Sequence, residues 1–248
     1  MKLRLGQPVS SLDGPYGDLG DIVIDPTAKT VTHLVVEPAH KHRLARLVPM
    51  WLIESDDDTI TVQLDTKHLR QLQGASFADY VRFTEPIDLG DDWDIGTEDT
   101  VSMPIPELDA GMWGDDHMGV EYDRIPRGDV EIRRRSTVAS SEGQEIGHVA
   151  GMVIAGDDVT GIAVRSGSLG RRHDSLVTID KIERVRNDRV VLTIDRHEFQ
   201  KLPSTEAFDD GDISLTEMSR ERVDAAVVMA ADAGMHLMDK AKSALRRA

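Results

Sequence analysis

The sequence predicts a mainly β protein made of two tandem, small six-stranded β-barrels, an acidic linker between them and a C-terminal α-helix. Three observations support this fold class. Part of the chain is written twice, each copy alternates short aliphatic segments with turn residues, and the composition favours helix after residue 204. We therefore divide the chain into a first repeat (1–80), a linker (81–130), a second repeat (131–203) and a helical segment (204–248).

The repeat is visible at both ends of the duplicated unit. Residues 9–24 return as residues 138–154, and residues 60–72 return as residues 190–202. Self-similarity at a fixed spacing indicates a repeated structural unit. Each copy is near the lower size limit for an independent hydrophobic core, so the sequence predicts two small cores.

Short strands alternate with turns in both copies. Strands are predicted over residues 19–25, 31–36, 47–53 and 60–64 in the first copy, and over residues 149–154, 159–164, 176–182 and 190–194 in the second. Ile60, Val62 and Leu64 alternate with polar residues, which is typical of a half-buried strand. Asp65 and Asp195 are each predicted to cap a short helix that follows.

Two glycines occupy matching positions just before the first long strand of each copy, Gly17 and Gly147. A small barrel needs bent strands and close backbone approach, and glycine permits both. Because only 4% of the residues are aromatic, Val, Ile and Leu must fill the interior. We therefore expect little room for a ligand inside, and any site is expected on a rim or between the barrels.

The linker is strongly acidic and contains two of the three tryptophans. Residues 84–129 contain fourteen Asp or Glu and two Arg, together with Trp93 and Trp113. One interpretation is a solvated linker. The other is that the tryptophans clamp the barrels together or present a strip to a partner, because tryptophan is unusual in a disordered segment. We expect part of this segment to be docked.

The C-terminal segment has a helical pattern. Ser214 and Glu217 match a capping box, and the small or apolar residues that follow recur at helical spacing. Three roles remain open for this helix. It packs on the barrels of its own chain, it forms a homodimer through Ala230 and Gly234, or it lies on a membrane surface, for which its alanine-rich face supplies little insertion energy.

Composition restricts the class of protein. A net charge of −16 argues against a surface that binds nucleic acid or anionic lipid throughout. The absence of cysteine excludes disulfides and thiolate metal sites, and we expect a cytoplasmic location. No apolar run has the length of a signal peptide or of a transmembrane helix.

Short motifs recur in the same order in both copies. They are Asp13-Gly14, Tyr16-Gly17-Asp18-Leu19, Ile22-Val23-Ile24-Asp25 and Leu47-Val48-Pro49 in the first, and Glu142-Gly143, Ile146-Gly147-His148-Val149 and Met152-Val153-Ile154 in the second. In these motifs, residues 5–73 and 132–203 resemble the PRC-barrel family, the small β-barrel of the photosynthetic reaction-centre H subunit and of the C-terminal part of a ribosome maturation factor. The second copy departs from the family pattern where Ile179-Asp180 replaces Val-Pro. The resemblance implies a protein that docks onto a larger assembly.

Motifs of catalysis are missing from the sequence. It contains no phosphate-binding loop, no dinucleotide glycine fingerprint, no Gly-x-Ser-x-Gly elbow and no His-Glu-x-x-His metal motif. Without a convergent set of polar groups, we predict a non-enzymatic binding or scaffolding protein that uses no cofactor and no metal. The enzymatic alternative requires a pocket between the barrels that holds His148 or His173 beside an acidic group.

Two loops at matching positions carry basic residues: His40, His42 and Arg43 in the first copy, and Arg171, Arg172 and His173 in the second. If they form one basic face on this acidic protein, they could bind RNA or the ribosome, as the resemblance to the maturation factor implies. Solvated polar loops are the simpler interpretation. The candidate interaction residues are these six together with Trp93 and Trp113. His40 and His42 lack a carboxylate at the spacing that a metal site requires.

Overall fold

The protein is mainly β, as its sequence predicts, and its large sheet curls into a half-barrel. The structure is a computed structural model that describes residues 1–38, 44–55, 59–82, 89–100, 117–167 and 172–205. These residues belong to the unit Met1–Asp209. The predicted C-terminal helix, with Ser214, Ala230 and Gly234, lies outside the described residues. Among those residues, no helix has the length and hydropathy needed to cross a membrane.

Within the described residues, the two repeats contain the same elements in the same order. The first repeat contains β2 (Pro8–Ser11), β3 (Gly14–Asp25), β4 (Thr30–Glu37), β5 (Arg46–Pro49), β6 (Ile53–Ser55), β7 (Ile60–Val62) and α1 (Thr66–Leu69). The second contains β12 (Thr137–Ala139), β13 (Glu145–Ala155), β14 (Asp158–Ser166), β15 (His173–Thr178), β16 (Ile182–Arg186), β17 (Arg189–Leu192) and α2 (Arg196–Phe199). Five further strands flank the repeats: β1 (Lys2–Arg4), β8 (Ser76–Arg82), β9 (Trp93–Thr100), β10 (His117–Pro126) and β11 (Val130–Ile132).

The strand pairing is also repeated. β2 pairs antiparallel with β3 and parallel with β7, and β12 pairs antiparallel with β13 and parallel with β17. Val9 faces Ile60 across the parallel pair, and Val138 faces Val190 at the matching place. Since register decides which side chains enter the core, the matched register means that the two copies bury the same alternate positions.

The predicted caps are confirmed. The side chain of Asp65 accepts a hydrogen bond from the backbone N–H of His68, 2.7 Å away. Asp195 accepts from the N–H of Glu198 at 2.8 Å, and the Glu198 carboxylate accepts from the N–H of Asp195 at 3.2 Å. The second repeat therefore has the complete capping box and the first has only half of it.

The predicted third strand is wrong in its length. In the first repeat the chain leaves the sheet after Pro49, forms a 3₁₀ turn over Met50–Leu52 and resumes as β6. In the second repeat it does the same at the 3₁₀ turn Ile179–Lys181. The two turns align Thr178 with Pro49, so the departure from the Val-Pro pattern lies at Val177-Thr178 and not at Ile179-Asp180.

Gly17 and Gly147 have the predicted role. A Cβ atom on Gly17 would collide with the backbone carbonyl of Glu37, and one on Gly147 would collide with the carbonyl of Arg165. Backbone atoms cannot move aside as a flexible side chain can. These two positions therefore require glycine because neighbouring strands approach too closely for any side chain.

The repeats exchange short strands with each other. β1, which precedes the first repeat, pairs with β13 of the second, so that Leu3 faces Met152. β11, which precedes the second repeat, pairs with β3 of the first, so that Ile132 faces Ile22. The exchange continues where the hairpins meet, since Val31 N–H donates to Asp157 O and Val159 N–H donates to Lys29 O, both at 2.9 Å. The pairing is reciprocal, as a two-fold relation between the copies requires.

One core therefore serves both repeats. In the described residues, the largest cluster of buried side chains runs without interruption from Leu3 and Ile22 to Met152 and Phe199. The exchanged residues Leu3 and Ile132 are both fully buried within it. The sequence predicts two small cores, whereas these contacts join the duplicated strands into one sheet and one interior.

The segment predicted as a linker contributes two strands, β9 and β10. In the described residues they form a second, antiparallel sheet with β8, which begins before the linker. Ile125 of β10 packs in a separate buried cluster with Val23, Val35 and Leu47, which lie on the outer face of the first repeat, and Trp93 packs against that cluster. Part of the segment is thus docked, as the sequence predicts.

Candidate binding sites

The predicted interaction residues fall into two groups. His40, His42, Arg43, Arg171 and Trp113 lie outside the described residues. The structure places Arg172 and His173 at the exposed beginning of β15, and Trp93 at the beginning of β9.

The described end of the second basic loop is fixed by polar contacts. The Arg165 guanidinium donates two hydrogen bonds to the Asp174 carboxylate, each 2.9 Å long, and Asp174 is buried. Next to this pair, His173 Nε2 lies 3.1 Å from Ser166 Oγ. A bidentate pair of this kind fixes the relative orientation of the two side chains as well as pairing their charges. It anchors the start of β15 and leaves Arg172 exposed to solvent.

Trp93 holds the three-stranded sheet against the first repeat. It is half-buried, it packs on the cluster around Ile125, and the Arg124 guanidinium lies over its ring at 5.8 Å from the ring centre. A cation in this position is attracted by the electron-rich face of the indole. Trp93 therefore packs the three-stranded sheet onto the first repeat, whereas the interpretation offered from the sequence was a clamp between the two barrels.

Trp51 is the exposed aromatic residue that sequence reasoning missed. It is the middle residue of the first 3₁₀ turn, and 79% of it is exposed. Met50 and Leu52 on either side are buried in the core. Since the two neighbours point inward on a turn of three residues, the indole between them must point outward.

The Trp51 turn is held firmly by the backbone. Pro49 starts it with a fixed backbone angle, Ile53 N–H closes it onto Met50 O, and Gln63 N–H donates to Leu52 O at 2.8 Å. The adjacent Leu64 O accepts from Leu12 N–H at 2.9 Å.

Leu12 is itself 61% exposed. Backbone hydrogen bonds therefore join Leu52, next to Trp51, and Leu12 to the consecutive residues Gln63 and Leu64. We call Trp51 with Leu12 the Trp51 surface.

The second repeat presents a different surface at the same place. When the two 3₁₀ turns are aligned, Asp180 is equivalent to Trp51, and Lys181 is equivalent to Leu52. None of the three residues of the second turn is buried. A comparison of the two copies at this turn is the signal that could have revealed Trp51 from the sequence.

A cavity of about 150 Å³ lies beside the second turn. Its aliphatic lining comes from both repeats and includes Ile24, Ile132, Met152, Ile162 and Ile179. Neither His148 nor His173, the histidines that an enzymatic site between the repeats would use, is among the residues that line it. His148 is exposed, and its Nε2 lies 3.9 Å from the exposed Glu145 carboxylate.

Three polar residues, Thr32 and His33 of β4 and Asp129 of the turn before β11, lie close together. Thr32 Oγ1 donates a hydrogen bond of 2.5 Å to the Asp129 carboxylate. Burial lowers the pKa of the neighbouring His33, against the opposing effect of the Asp129 charge. Burial also raises the pKa of Asp129, against the hydrogen bond from Thr32. The Thr32–Asp129 hydrogen bond joins β4 to the turn before β11. Among the described residues, no group of three or more His, Asp or Glu side chains is arranged to hold a metal ion.

Comparison with known proteins finds no family model that matches the chain and no curated protein that matches it. The structure defines the class as a mainly β protein with an internal repeat. Its function is therefore inferred from the Trp51 surface and the cavity.

Proposed function

We propose that the protein is a non-enzymatic scaffolding protein whose two repeats are PRC-like barrels, and that it docks onto a protein assembly through the Trp51 surface. The barrel assignment is supported by the matched strand pairing of the copies and by the motifs that resemble the PRC-barrel family. The docking assignment is supported by one observation above all, the 79% exposure of Trp51 on a backbone that holds it outward.

An exposed tryptophan on a fixed turn suits protein recognition. Tryptophan is enriched among the residues that dominate binding energy at protein interfaces. A turn that is already ordered loses little conformational freedom on binding. Trp93, by contrast, is engaged within the chain by the Ile125 cluster and by Arg124, so it is not offered to a partner in the same way.

The surroundings of Trp51 indicate the chemistry of the partner. Glu54 is exposed three residues further along the chain, and the whole protein carries a net charge of −16. Complementary potentials favour association between proteins. We expect the partner to present an apolar pocket for the indole, bordered by Lys or Arg, and the rate of association to fall as salt concentration rises.

The test is photo-crosslinking from the two equivalent turns. The full chain is produced in its source cells with the photoreactive residue benzoylphenylalanine in place of Trp51, or in place of Asp180 as the matched control. We expect a discrete crosslinked protein from position 51 and none from position 180. In a direct assay with that protein, Trp51→Ala should weaken binding by about 30-fold or more, as for a dominant interface residue.

The stability of the Trp51→Ala variant is the folding control. Because Trp51 is exposed, its replacement should change the free energy of unfolding by no more than about 0.5 kcal/mol. Equal crosslinking from positions 51 and 180, or full binding by a folded Trp51→Ala variant, would show that the Trp51 surface is not the docking site.

A further inference from the structure

The cavity lies beside the second 3₁₀ turn, where the two repeats are packed differently. In the first repeat, Met50 and Leu52 of the turn are buried and join the shared core. In the second, Lys181 replaces Leu52, and no residue of the turn is buried. One large aliphatic side chain is therefore missing from this end of the second repeat. Space that side chains do not fill remains as a cavity when the surrounding strands cannot collapse.

The size and lining of the cavity fit a small apolar group. Its volume is about 150 Å³, and an aliphatic protein cavity of about that size holds a ligand of some six carbons, such as benzene. Ile24, Ile132, Met152 and Ile162, which form its inner wall, are buried. Such a wall offers no hydrogen bonds to water, so an alkyl group is a better occupant than solvent.

The mouth of the cavity is charged. Lys29, Glu183 and Arg184 line it and are exposed. The Arg184 guanidinium lies 3.3 Å from the Glu183 carboxylate, so the negative charge at the mouth already has a cationic partner. Lys29 is the remaining cation among the described lining residues.

Lys29 occupies an unusual backbone position. Its φ angle is +59°, in the left-handed region where lysine is strained and glycine or asparagine is favoured. Its carbonyl is fixed by the hydrogen bond from Val159 N–H at 2.9 Å. Lys29 is thus held at a fixed backbone position in the turn between β3 and β4.

We propose that this cavity binds a small aliphatic carboxylate of about six carbons, with the alkyl chain in the aliphatic interior and the carboxylate at the Lys29 ammonium. The apolar interior accounts for binding of the chain, and a charge-assisted contact with Lys29 orients it. The site is formed jointly by the two repeats, because Ile24 and Lys29 come from the first and Met152 and Ile162 from the second.

Binding of hexanoate to the full-length protein tests this proposal. Isoleucine methyl groups are labelled, and their NMR shifts are followed as hexanoate is added. We expect saturable binding with a Kd on the order of 1 mM, as suits a ligand of so few atoms. The shifts should centre on Ile132, Ile162 and Ile179 and should spare Ile53 of the first repeat. Hexylamine, which has the same chain and the opposite charge, should bind more weakly.

Two variants with matched controls test separately how the alkyl chain and the carboxylate of hexanoate contribute to binding. Ile179→Phe places an aromatic ring at the cavity and should weaken hexanoate binding at least about tenfold, because the larger side chain narrows the space for the alkyl group. The same change at the equivalent residue of the first repeat, Met50→Phe, should leave it unaltered. Lys29→Asn keeps a residue that tolerates the left-handed backbone and should weaken binding about threefold, as for an exposed ion pair. Lys67→Asn on α1 is its control.

The wild-type titration alone can overturn the proposal. Absence of saturable binding up to about 20 mM hexanoate, well above the affinity expected for this size of ligand, would show that the cavity has no such function. Methyl shifts centred outside the cavity, or equal binding of hexylamine, would do the same. These outcomes do not depend on whether the Ile179→Phe variant folds.

Discussion

The two repeats have the same strand plan, and they differ most at one three-residue turn. Met50-Trp51-Leu52 closes one end of the first repeat and projects an indole, whereas Ile179-Asp180-Lys181 buries no residue and leaves a cavity of about 150 Å³ beside it. Strand register constrains every second residue of a sheet. A turn at the end of a strand carries no such constraint, so one copy can specialise in surface contact and the other in enclosing a ligand.

The exchange of β1 and β11 makes each repeat depend on the other for its sheet. Each short strand completes the sheet of the other repeat, with Leu3 opposite Met152 and Ile132 opposite Ile22. Such reciprocal pairing is the pattern of a two-fold dimer, here contained in a single chain. Neither copy would keep its sheet and core intact if the other were removed.

The largest expected effect concerns this exchange. Leu3→Ala and Ile132→Ala each remove a fully buried side chain from the shared core and should lower the free energy of unfolding by about 3 kcal/mol. Because the core is continuous, both variants should unfold in one step, like the wild type. Urea denaturation followed in parallel by tryptophan fluorescence and far-ultraviolet circular dichroism provides the measurement.

The comparison between probes decides this prediction. Two of the three tryptophans, Trp51 and Trp93, lie in or against the first repeat, whereas circular dichroism reports on the strands of both repeats. Ile132→Ala should move both transitions together. If fluorescence and circular dichroism gave separate midpoints, the two repeats would be independent folding units and the shared core would be disproved.

A swap between the two 3₁₀ turns should produce smaller and opposite effects. Leu52→Lys places a charged chain where a buried leucine packs and should cost about 2 kcal/mol, because the lysine can extend its charge toward solvent. Lys181→Leu supplies the side chain that the second turn lacks and should stabilise the protein by about 1 kcal/mol. Midpoints of urea unfolding give both values.

Lys181→Leu also links stability to the cavity. If the added leucine packs as Leu52 does, hexanoate binding should decline while stability increases. A stabilised variant that binds hexanoate normally would show that the leucine packs elsewhere. In that case the difference between the turns would not account for the cavity.

Much of this fold could be predicted from residues that act locally. The repeat, the alternation of Ile60 and Val62, the caps at Asp65 and Asp195 and the requirement for Gly17 and Gly147 depend on short-range geometry. Each of these features is present in the structure. Local patterns of this kind reflect backbone preference and pleat, which a sequence shows directly.

The features that were missed depend on distant contacts. β1 and β11 have three residues each, too few for a periodic signal, and their partners are about 150 and 110 residues away. The exposure of Trp51 depends on which side of its segment meets the core, where Met50 and Leu52 pack, and alternation along a strand does not say which side that is. The strands β9 and β10 in the acidic residues 84–129 were also missed. These strands of the three-stranded sheet are recognised by their pairing and not by hydrophobic alternation.

The smallest expected effect is a difference in pH dependence between the repeats, since His33 of the first repeat has Gly161 as its counterpart in the second. Burial lowers the pKa of His33 below the ordinary value of 6.5, so below that pH the unfolded chain binds more protons than the folded one. Stability should therefore decline as pH falls from 6.5 toward the lowered pKa. Asp129 acts in the opposite direction: its raised pKa favours the protonated folded state, so its contribution is lost as pH rises from 3.8 through the raised value.

Replacing His33 and Asp129 one at a time separates their contributions to the dependence of stability on pH. His33→Gln should remove the loss of stability below pH 6.5, a change on the order of 0.5 kcal/mol because the imidazole is only partly buried. Asp129→Asn should remove the opposing slope while still accepting the hydrogen bond from Thr32. Urea midpoints measured from about pH 3.5 to pH 8 span the carboxylate and histidine ranges, with exposed His197→Gln as the control. If His33→Gln kept the wild-type slope, the titration of His33 would not be coupled to folding, and the slope would come from other groups.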